Sequence, residues 1–343
     1  MSSFYEIRLC DAGDIEKVKH FIHTHWKEDH ILSKNAAIMD FQHFEKDTQT
    51  YNYVIAINPQ TQEVDGLMGF IPTWHFDRHL KDEKDYWGAI WKVRTDTTNP
   101  EIKLLGLDLF ESFQRITGAR TYGAIGVSSV AKKIYRALGY KTGRLNHYYI
   151  LNDHIREFRV AIIKSRIAGK PLDSADNADM RLVDVLSGNE KIACIYKPQK
   201  TLGYILNRYQ RHPVYKYYYL KVFAGDELVL IFVIRVISVH GVRIVRIVDL
   251  LGDFTIGLNF YPAIQNILTM LDAEYIDFVH FGMAEDVISA MGFTPLEYES
   301  GNIIPTYFEP FEQRNVIIEF AYKSGDPYFI FKGDSDQDRP NVL

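Results

Sequence analysis

The sequence predicts an α/β protein with mixed sheets, an α+β arrangement in which one fold is repeated in tandem and the second copy is degenerate. Three observations lead there. The apolar run T-Y-G-A-I-G-V (Thr121–Val127), the segment A-K-K-I-Y-R-A-L-G-Y (Ala131–Tyr140) and the following N-H-Y-Y-I-L read as strand, short helix and strand. The same order returns near the carboxyl end, where Y-I-D-F-V-H-F precedes E-D-V-I-S-A-M-G-F. Between them, a charge-alternating stretch from N-D-H-I-R-E-F-R to D-S-A-D-N-A-D has the composition of a boundary. The expected units are residues 1–152, a linker over 153–178, and residues 179–343.

Size and charge fit two ordinary domains that act on small molecules. A chain of 343 residues with 47% hydrophobic residues can bury two cores. With 39 basic and 44 acidic residues the net charge is -5, so the molecule as a whole lacks the positive field that favours nucleic acid or an anionic membrane. Cys10 and Cys194 lie far apart in apolar contexts, which makes neither a disulfide framework nor a metal site and fits a reducing cytoplasm. Apolar runs such as L-V-L-I-F-V-I are broken by arginine before they reach membrane-spanning length, and M-S-S-F-Y-E-I-R-L has no leader pattern. The expectation is a cytoplasmic protein with no membrane segment.

In chain order, Y-E-I-R-L-C alternates as a strand, and D-A-G-D offers caps for a helix with Ile15, Val18, Phe21 and Ile22 on one face. His20, His23 and His25 on that helix lack a further ligand at suitable spacing, so no metal is expected. Y-N-Y-V-I-A-I-N and L-M-G-F-I-P-T-W flank the turn P-Q-T-Q-E-V-D-G, a hairpin. Y-W-G-A-I-W-K-V is the next strand, and Leu104, Leu107, Leu109 and Phe110 mark a helix beginning just past Pro100. In A-K-K-I-Y-R-A-L-G-Y, Ala131, Ile134, Tyr135 and Leu138 share a helical face, and Gly139 should end the helix.

The second copy runs through the strands M-R-L-V-D-V, Y-Y-Y-L-K-V-F, L-V-L-I-F-V-I-R-V and V-R-I-V-R-I-V-D-L, then the helix P-A-I-Q-N-I-L-T-M-L. Ile288 stands where Tyr135 stood, and Asp253 lies where a phosphate loop would need open amides. Two segments here suit a ligand. From Tyr196 to Lys221 there are six cations, among them Arg208 and Arg211, seven tyrosines including Tyr217, and no acid, a pattern for phosphate pairing and base stacking. The alternative is a solvated helix face followed by a strand. At the carboxyl end, K-G-D-S-D-Q-D-R-P-N carries Asp334, Asp336, Asp338 and Arg339, which could hydrogen-bond sugar hydroxyls or an ammonium; a calcium loop would need further ligands that are missing.

The frame A-x-x-x-Y-x-x-L-G-Y resembles the end of the GCN5-related N-acetyltransferase (GNAT) fold, where that helix lies beside the thioester of an acyl-coenzyme A. The phrase N-R-Y-Q-R-H-P-V-Y-K-Y and the carboxyl-terminal loop look like those of tandem bacterial sugar N-acyltransferases, which acylate an amino group on a nucleotide-linked deoxysugar. The resemblance implies that Tyr135 protonates the departing thiolate, as a phenol with an ordinary pKa near about 10 can. It implies that amides at Ile90, Trp91, Lys92 and Val93 hold the pantetheine arm, and that the helix start at Lys103, Leu105 and Gly106 receives the pyrophosphate. Of the glycine-rich phrase the family carries there, Glu101, Leu104 and Gly106 are the aligned residues, and only Gly106 matches. Acceptor contacts fall to Trp74, His75 and Trp87, with His75 as candidate general base. For each of these three, packing at the sheet margin is the alternative.

The implied activity is acyl transfer from acyl-coenzyme A to a dTDP-linked amino-deoxysugar in surface-polysaccharide biosynthesis, without nucleic acid, membrane or metal. Two rival readings keep the fold: an aminoacyl-tRNA-dependent transferase of the FemABX type, which the negative charge disfavours, and a non-catalytic binding protein.

Overall fold

In the computed structural model, which describes residues 4–166 and 176–341, two mixed sheets stand side by side. The first contains β1 (Glu6–Asp11), β2 (Thr50–Ile57), β3 (Val64–Pro72), β4 (Asp85–Val93), β5 (Thr121–Ile125) and β6 (Lys141–Arg144). The second contains β7 (Asn146–Leu151), β8 (Asp179–Val183), β9 (Tyr218–Ala224), β10 (Glu227–Val239), β11 (Val242–Gly252), β12 (Ala273–Phe281) and β13 (Thr294–Pro295). Two strands close to the carboxyl end, β14 (Glu319–Lys323) and β15 (Ile330–Phe331), divide between the sheets. The orders are β1-β2-β3-β4-β5-β14-β6 and β13-β7-β12-β11-β10-β9-β8, with β15 on β12.

The sheets do not follow the expected chain boundaries. β7, which was expected to close the first unit, lies between β12 and β13 of the second sheet, and β14 returns from the other end of the chain to lie between β5 and β6. Each half thus lends the other one strand at the corresponding place. The expected linker over 153–178 reaches into residues outside those described, 167–175. Its described part is packed: the Glu274 carboxylate accepts the amides of Val160 and Ala161 at 3.0 and 3.1 Å, and Asn302 Oδ1 accepts those of Lys164 and Ser165 at 2.8 and 3.0 Å.

The helices form where the periodicity expects them, but past Pro100 the buried face is not the one expected, since Leu104 is exposed and Leu107 half-buried. In α3 (Ile102–Thr117), Leu105, Leu109 and Phe113 recur at four-residue steps and are wholly buried against the first sheet, and the helix stops at Gly118, whose φ of 59° is left-handed. Before it come α1 (Ile15–Phe21) and α2 (Ala36–His43) on the opposite face. In α4 (Ser129–Ala137), Ser128 caps the start by accepting the Ala131 amide, and Gly139 at φ 79° follows its end. The second copy repeats the pair as α5 (Tyr261–Leu271) and α6 (Glu285–Ala290). A third core joins the two halves: Ile71, Phe76 and Trp87 pack with Tyr204, Tyr209, Val248 and Phe320. Both cysteines are free, and no helix among the described residues is long and apolar enough to cross a membrane.

Burial here makes stability depend on pH. His30, His43 and His280 are each held down to about 3, burial being the leading cause in all three, with Arg339 next for His30 and His75 next for His43. An unfolded chain takes up these protons near about 6.5, so between roughly 6.5 and 3 the unfolded state binds more protons and stability rises with pH. Asp334, raised to about 6 chiefly by burial, and Asp85, also raised chiefly by burial, run the other way, but they are two groups against three. The thermal midpoint should fall as pH drops from 7 to 4. His280→Phe, which keeps the stack on Tyr148 and removes one of the three protonation sites, should flatten that fall; an unchanged slope would contradict it.

Candidate active site

A parallel pair of strands can part only where its ladder ends, and both sheets contain such a fork. β4 and β5 pair from Asp85↔Thr121 to Gly88↔Ala124, after which β4 continues to Val93 along β3 alone. Among the described residues no strand pairs with the free edge of β4 beyond Gly88. Backbone groups along such an edge are a template for an extended ligand that carries amides. β11 and β12 part likewise after Ile247↔Phe278, but there the chain fills its own gap: β15 pairs His280↔Phe331 and Phe281↔Ile330, and the Gly333 amide donates to the Val248 carbonyl at 2.6 Å.

At the apex of the first fork two hydroxyls meet. Tyr122 of β5 lies across Gly88 so closely that a Cβ there would come within 2.0 Å of its hydroxyl oxygen. That oxygen lies 2.8 Å from the Tyr135 hydroxyl of α4. Both rings sit among Phe110 and Tyr140, and Tyr135 is 2% exposed. Burial is the leading cause that raises both phenols above their ordinary value, so both remain protonated at neutral pH. Two hydroxyls that share one hydrogen bond keep one O–H proton to spare.

The carboxyl-terminal segment runs from the second fork to the first. Ser335 Oγ donates to the Gly88 carbonyl at 2.5 Å, and Gln337 Nε2 donates to the Ile125 carbonyl at 3.3 Å. Buried Arg208 holds the segment by donating from Nη2 to the carbonyls of Gly333 and Ser335, both at 2.6 Å. Lys200 Nζ lies 2.6 Å from Asp249 and 2.7 Å from Asp334 with all three side chains buried; the Asp334 contact pairs charge without hydrogen-bond alignment.

No family model matches the chain, and no characterised protein matches it in sequence. Solved structures do. A GCN5-related N-acetyltransferase from Anabaena variabilis ATCC 29413 superposes with a TM-score of 0.52 at 10% identity, over 93% of this chain and 72% of that one. A conserved protein of unknown function from Enterococcus faecalis V583, described as a probable N-acyltransferase, superposes with a TM-score of 0.54 at 6% identity over the same shares. The chain has a tandem GNAT fold. In this GNAT framework the first fork is the open one and the second is closed by β15, which agrees with the expectation of a degenerate second copy.

Several residues expected to touch ligands serve the framework instead. Trp87 is fully buried against Tyr328 in the shared core. Tyr217 is buried and donates its hydroxyl to Asp338 at 2.7 Å, and Arg208 is the tail clamp already described. The basic run after Tyr196 suggested a ligand because its counter-charges lie elsewhere in the chain: Lys200 pairs with Asp249 and Asp334, Lys197 with Glu83, and Lys221 with Glu190. The tail acids are likewise taken, Asp334 by Lys200, Asp336 by Arg339, and Asp338 by Arg235 at 2.7 Å. For Asp336 and Asp338 burial pushes the carboxyl up, and the arginine beside each outweighs it and holds it below the usual range.

Both ring nitrogens of His75 are engaged within the fold, so neither is turned towards a substrate ammonium. Its Nδ1 meets the Glu45 carboxylate and its Nε2 lies 2.8 Å from the Phe41 carbonyl, so both nitrogens face acceptors. Glu45 is buried, which pushes it up, but the hydrogen bond and charge of His75, with Arg78 at 2.7 Å, hold it below its ordinary value. His75→Gln should therefore lower the unfolding midpoint and leave kcat unchanged; a lost kcat with an unchanged midpoint would restore it as a base. Trp74 is half-buried, donating to the Tyr86 hydroxyl at 3.4 Å with Arg78 over its ring. Arg211 is exposed beside Asn207, on an open cleft of about 870 Å³ that His75 and Arg78 also line.

At the expected coenzyme site, Ile90 is buried towards α1, while Trp91, Lys92 and Val93 remain half-buried along the free edge. Trp91 Nε1 donates to the Gly106 carbonyl at 3.1 Å, and a Cβ on Gly106 would meet Val93 and Trp91 at 3.7 and 3.8 Å. Those are ordinary contacts, so the packing of α3 on β4 does not itself require a glycine at 106, and the residue faces β4. It lies in the second turn, Leu105 is core, and Lys103 is exposed at the helix start together with Glu101 and Leu104. Sequence reasoning missed Gly88, Tyr122, Ser335 and Gln337. The glycine within the run Y-W-G-A-I-W was the available signal, since a strand-interior glycine marks a close approach.

Proposed function

We propose that this protein is an acyl-coenzyme A-dependent N-acyltransferase working at the β4–β5 fork, with the amino group of a dTDP-linked amino-deoxysugar as acceptor. The observation that carries the reading is the contrast between the forks, one with a free edge at Ala89–Val93 and a spare hydroxyl proton at its apex, the other filled by the chain itself. The sugar rests on the sequence resemblance alone.

The pantetheine arm would lie along the free edge of β4, its amides exchanging hydrogen bonds with backbone there. The amine attacks the thioester carbonyl, a C–N bond forms, the C–S bond breaks, and the proton leaving the nitrogen completes the thiol. Tyr135, paired with Tyr122, donates a hydrogen bond to the sulfur as it gathers charge, and holding both reactants together supplies much of the rate.

Two measurements test this. Saturating coenzyme A should raise the unfolding midpoint, because a ligand of the folded state alone stabilises it; no shift at millimolar concentration would sink the reading and leave a binding protein. Tyr135→Phe should lower kcat by about 100-fold, the lower end of what a positioned proton donor contributes. Its fold should be retained, and an unchanged kcat would make the hydroxyl structural.

A further inference from the structure

A small polar cavity of about 40 Å³ lies between the tail and the second sheet, lined among others by Arg235, Arg246, Thr306, Tyr307, Lys332 and Gln337. Such a space holds a few waters or one oxyanion and excludes a nucleotide base. Its cations are matched singly with carboxylates, with one exception. Arg235 pairs with Asp338 at 2.7 Å, Arg246 with Asp277 at 2.6 Å, and Arg339 with Asp336. Glu309 also borders the cavity; it accepts from the Tyr215 hydroxyl at 2.6 Å and the Asn341 amide at 3.2 Å, and lies 3.6 Å from Arg235.

Lys332 has no such partner. It is 3% exposed, its ammonium lies 5.2 Å from the centre of the Tyr307 ring, and among the described residues it makes no side-chain hydrogen bond or ion pair. Two neighbours lining the cavity add donors that are buried and unpartnered, Arg339 Nε and Thr306 Oγ1. A buried ammonium that no carboxylate touches is only partly compensated, and an anion in contact with it would recover free energy. Gln337 connects the cavity to the fork, since it lines the one and hydrogen-bonds Ile125 at the end of β5 in the other.

We infer that this cavity is a receptor for one oxyanion, a carboxylate or a phosphate, carried by the acceptor, with Lys332 as the group that reads it. The acceptor role rests on the acyltransferase reading; the anion site does not. The acceptor is then an anionic amine whose charged group docks at Lys332 while its nitrogen faces the fork. Electrostatics agree. Burial and then Arg246 of β11 hold the Lys332 ammonium down to about 8, while Asp277 of β12 and Asp336 and Asp338 of the tail pull the other way without restoring it.

The test titrates inorganic phosphate and, separately, acetate into the full chain and into Lys332→Met by calorimetry at pH 7, and acetate again at pH 9.5. Methionine keeps the aliphatic stem, and an unchanged unfolding midpoint confirms the fold of the variant. At least one anion should bind the wild type, about 10- to 100-fold more tightly than it binds the variant, the worth of a charge-assisted hydrogen bond. Phosphate binding alone indicates a phosphate ester, and acetate binding alone a carboxylate. If acetate binds, its affinity should fall at pH 9.5. Absence of binding by both, or equal binding by Lys332→Met, overturns the inference. Coenzyme A titrated into the same samples separates the two ideas: coenzyme binding without anion binding removes only the receptor, and the reverse removes only the acyltransferase.

Discussion

Gly88→Ala is expected to cost more than 100-fold in kcat, the largest catalytic effect of any single methyl group in the chain. The added carbon would lie 2.0 Å from the Tyr122 hydroxyl oxygen and 2.7 Å from the ring carbon bearing it. Tyr122 cannot retreat, because Phe110, Phe113 and Tyr140 surround its ring at centroid distances of 5.6, 5.4 and 5.8 Å. The ring must tilt, and the 2.8 Å bond to Tyr135 is lost along with the spare proton it positions. Overpacking of this kind also costs about 1–3 kcal/mol of stability. Steady-state kinetics separate the effects, since a fall in kcat at nearly constant KM marks an interaction made in the transition state. Turnover at the wild-type rate would show that the hydroxyl pair is remote from the reacting sulfur.

The largest effect on stability should come from Lys200→Met, about 3–5 kcal/mol, the range for removing one partner of a buried ion pair. The ammonium neutralises two carboxylates that are otherwise shut away from water, Asp249 on β11 and Asp334 in the tail. Tyr209 donates to the far oxygen of Asp249 at 2.6 Å but carries no charge to replace it. Asp334 already sits high, at about 6, because burial raises it more than the Lys200 charge lowers it, with Asp249 adding to the rise; without Lys200 it would be forced further towards protonation. The destabilisation should therefore shrink by pH 5, where Asp334 can be neutral, and Lys200→Met with Asp249→Asn should recover part of it. Chemical denaturation at pH 7 and pH 5 measures both; a loss below about 1 kcal/mol at pH 7 would show that water reaches the cluster.

What the sequence made legible was local. Ala131 to Tyr140 declares a helix and its stop, and the recurrence at Glu285–Phe293 declares a second copy, because spacing and a terminal glycine are written in consecutive residues. Strand exchange is not local. β14 pairs Phe320 with Ile125 and Gly143, partners nearly two hundred residues away that no alternation pattern specifies. The same limit misdirected the site. Lys200, Arg208 and Tyr217 form a basic and aromatic run in one dimension, but their partners Asp249, Gly333 and Asp338 lie on β11 and in the tail, so their charge and hydroxyls were spent internally. Periodicity placed Leu105 and Gly106 on α3 but could not say that they face β4 rather than a ligand.

The most direct measurement of the proposed function follows product mass and thiol release together. Wild-type protein is incubated with a mixture of acyl-coenzyme A thioesters and several dTDP-amino sugars. The expected result is a sugar nucleotide heavier by one acyl group with an equivalent of free coenzyme A, both lost in Gly88→Ala. Intact thioesters and unmodified sugars for every pair, in protein whose unfolding midpoint coenzyme A does not move, would contradict it.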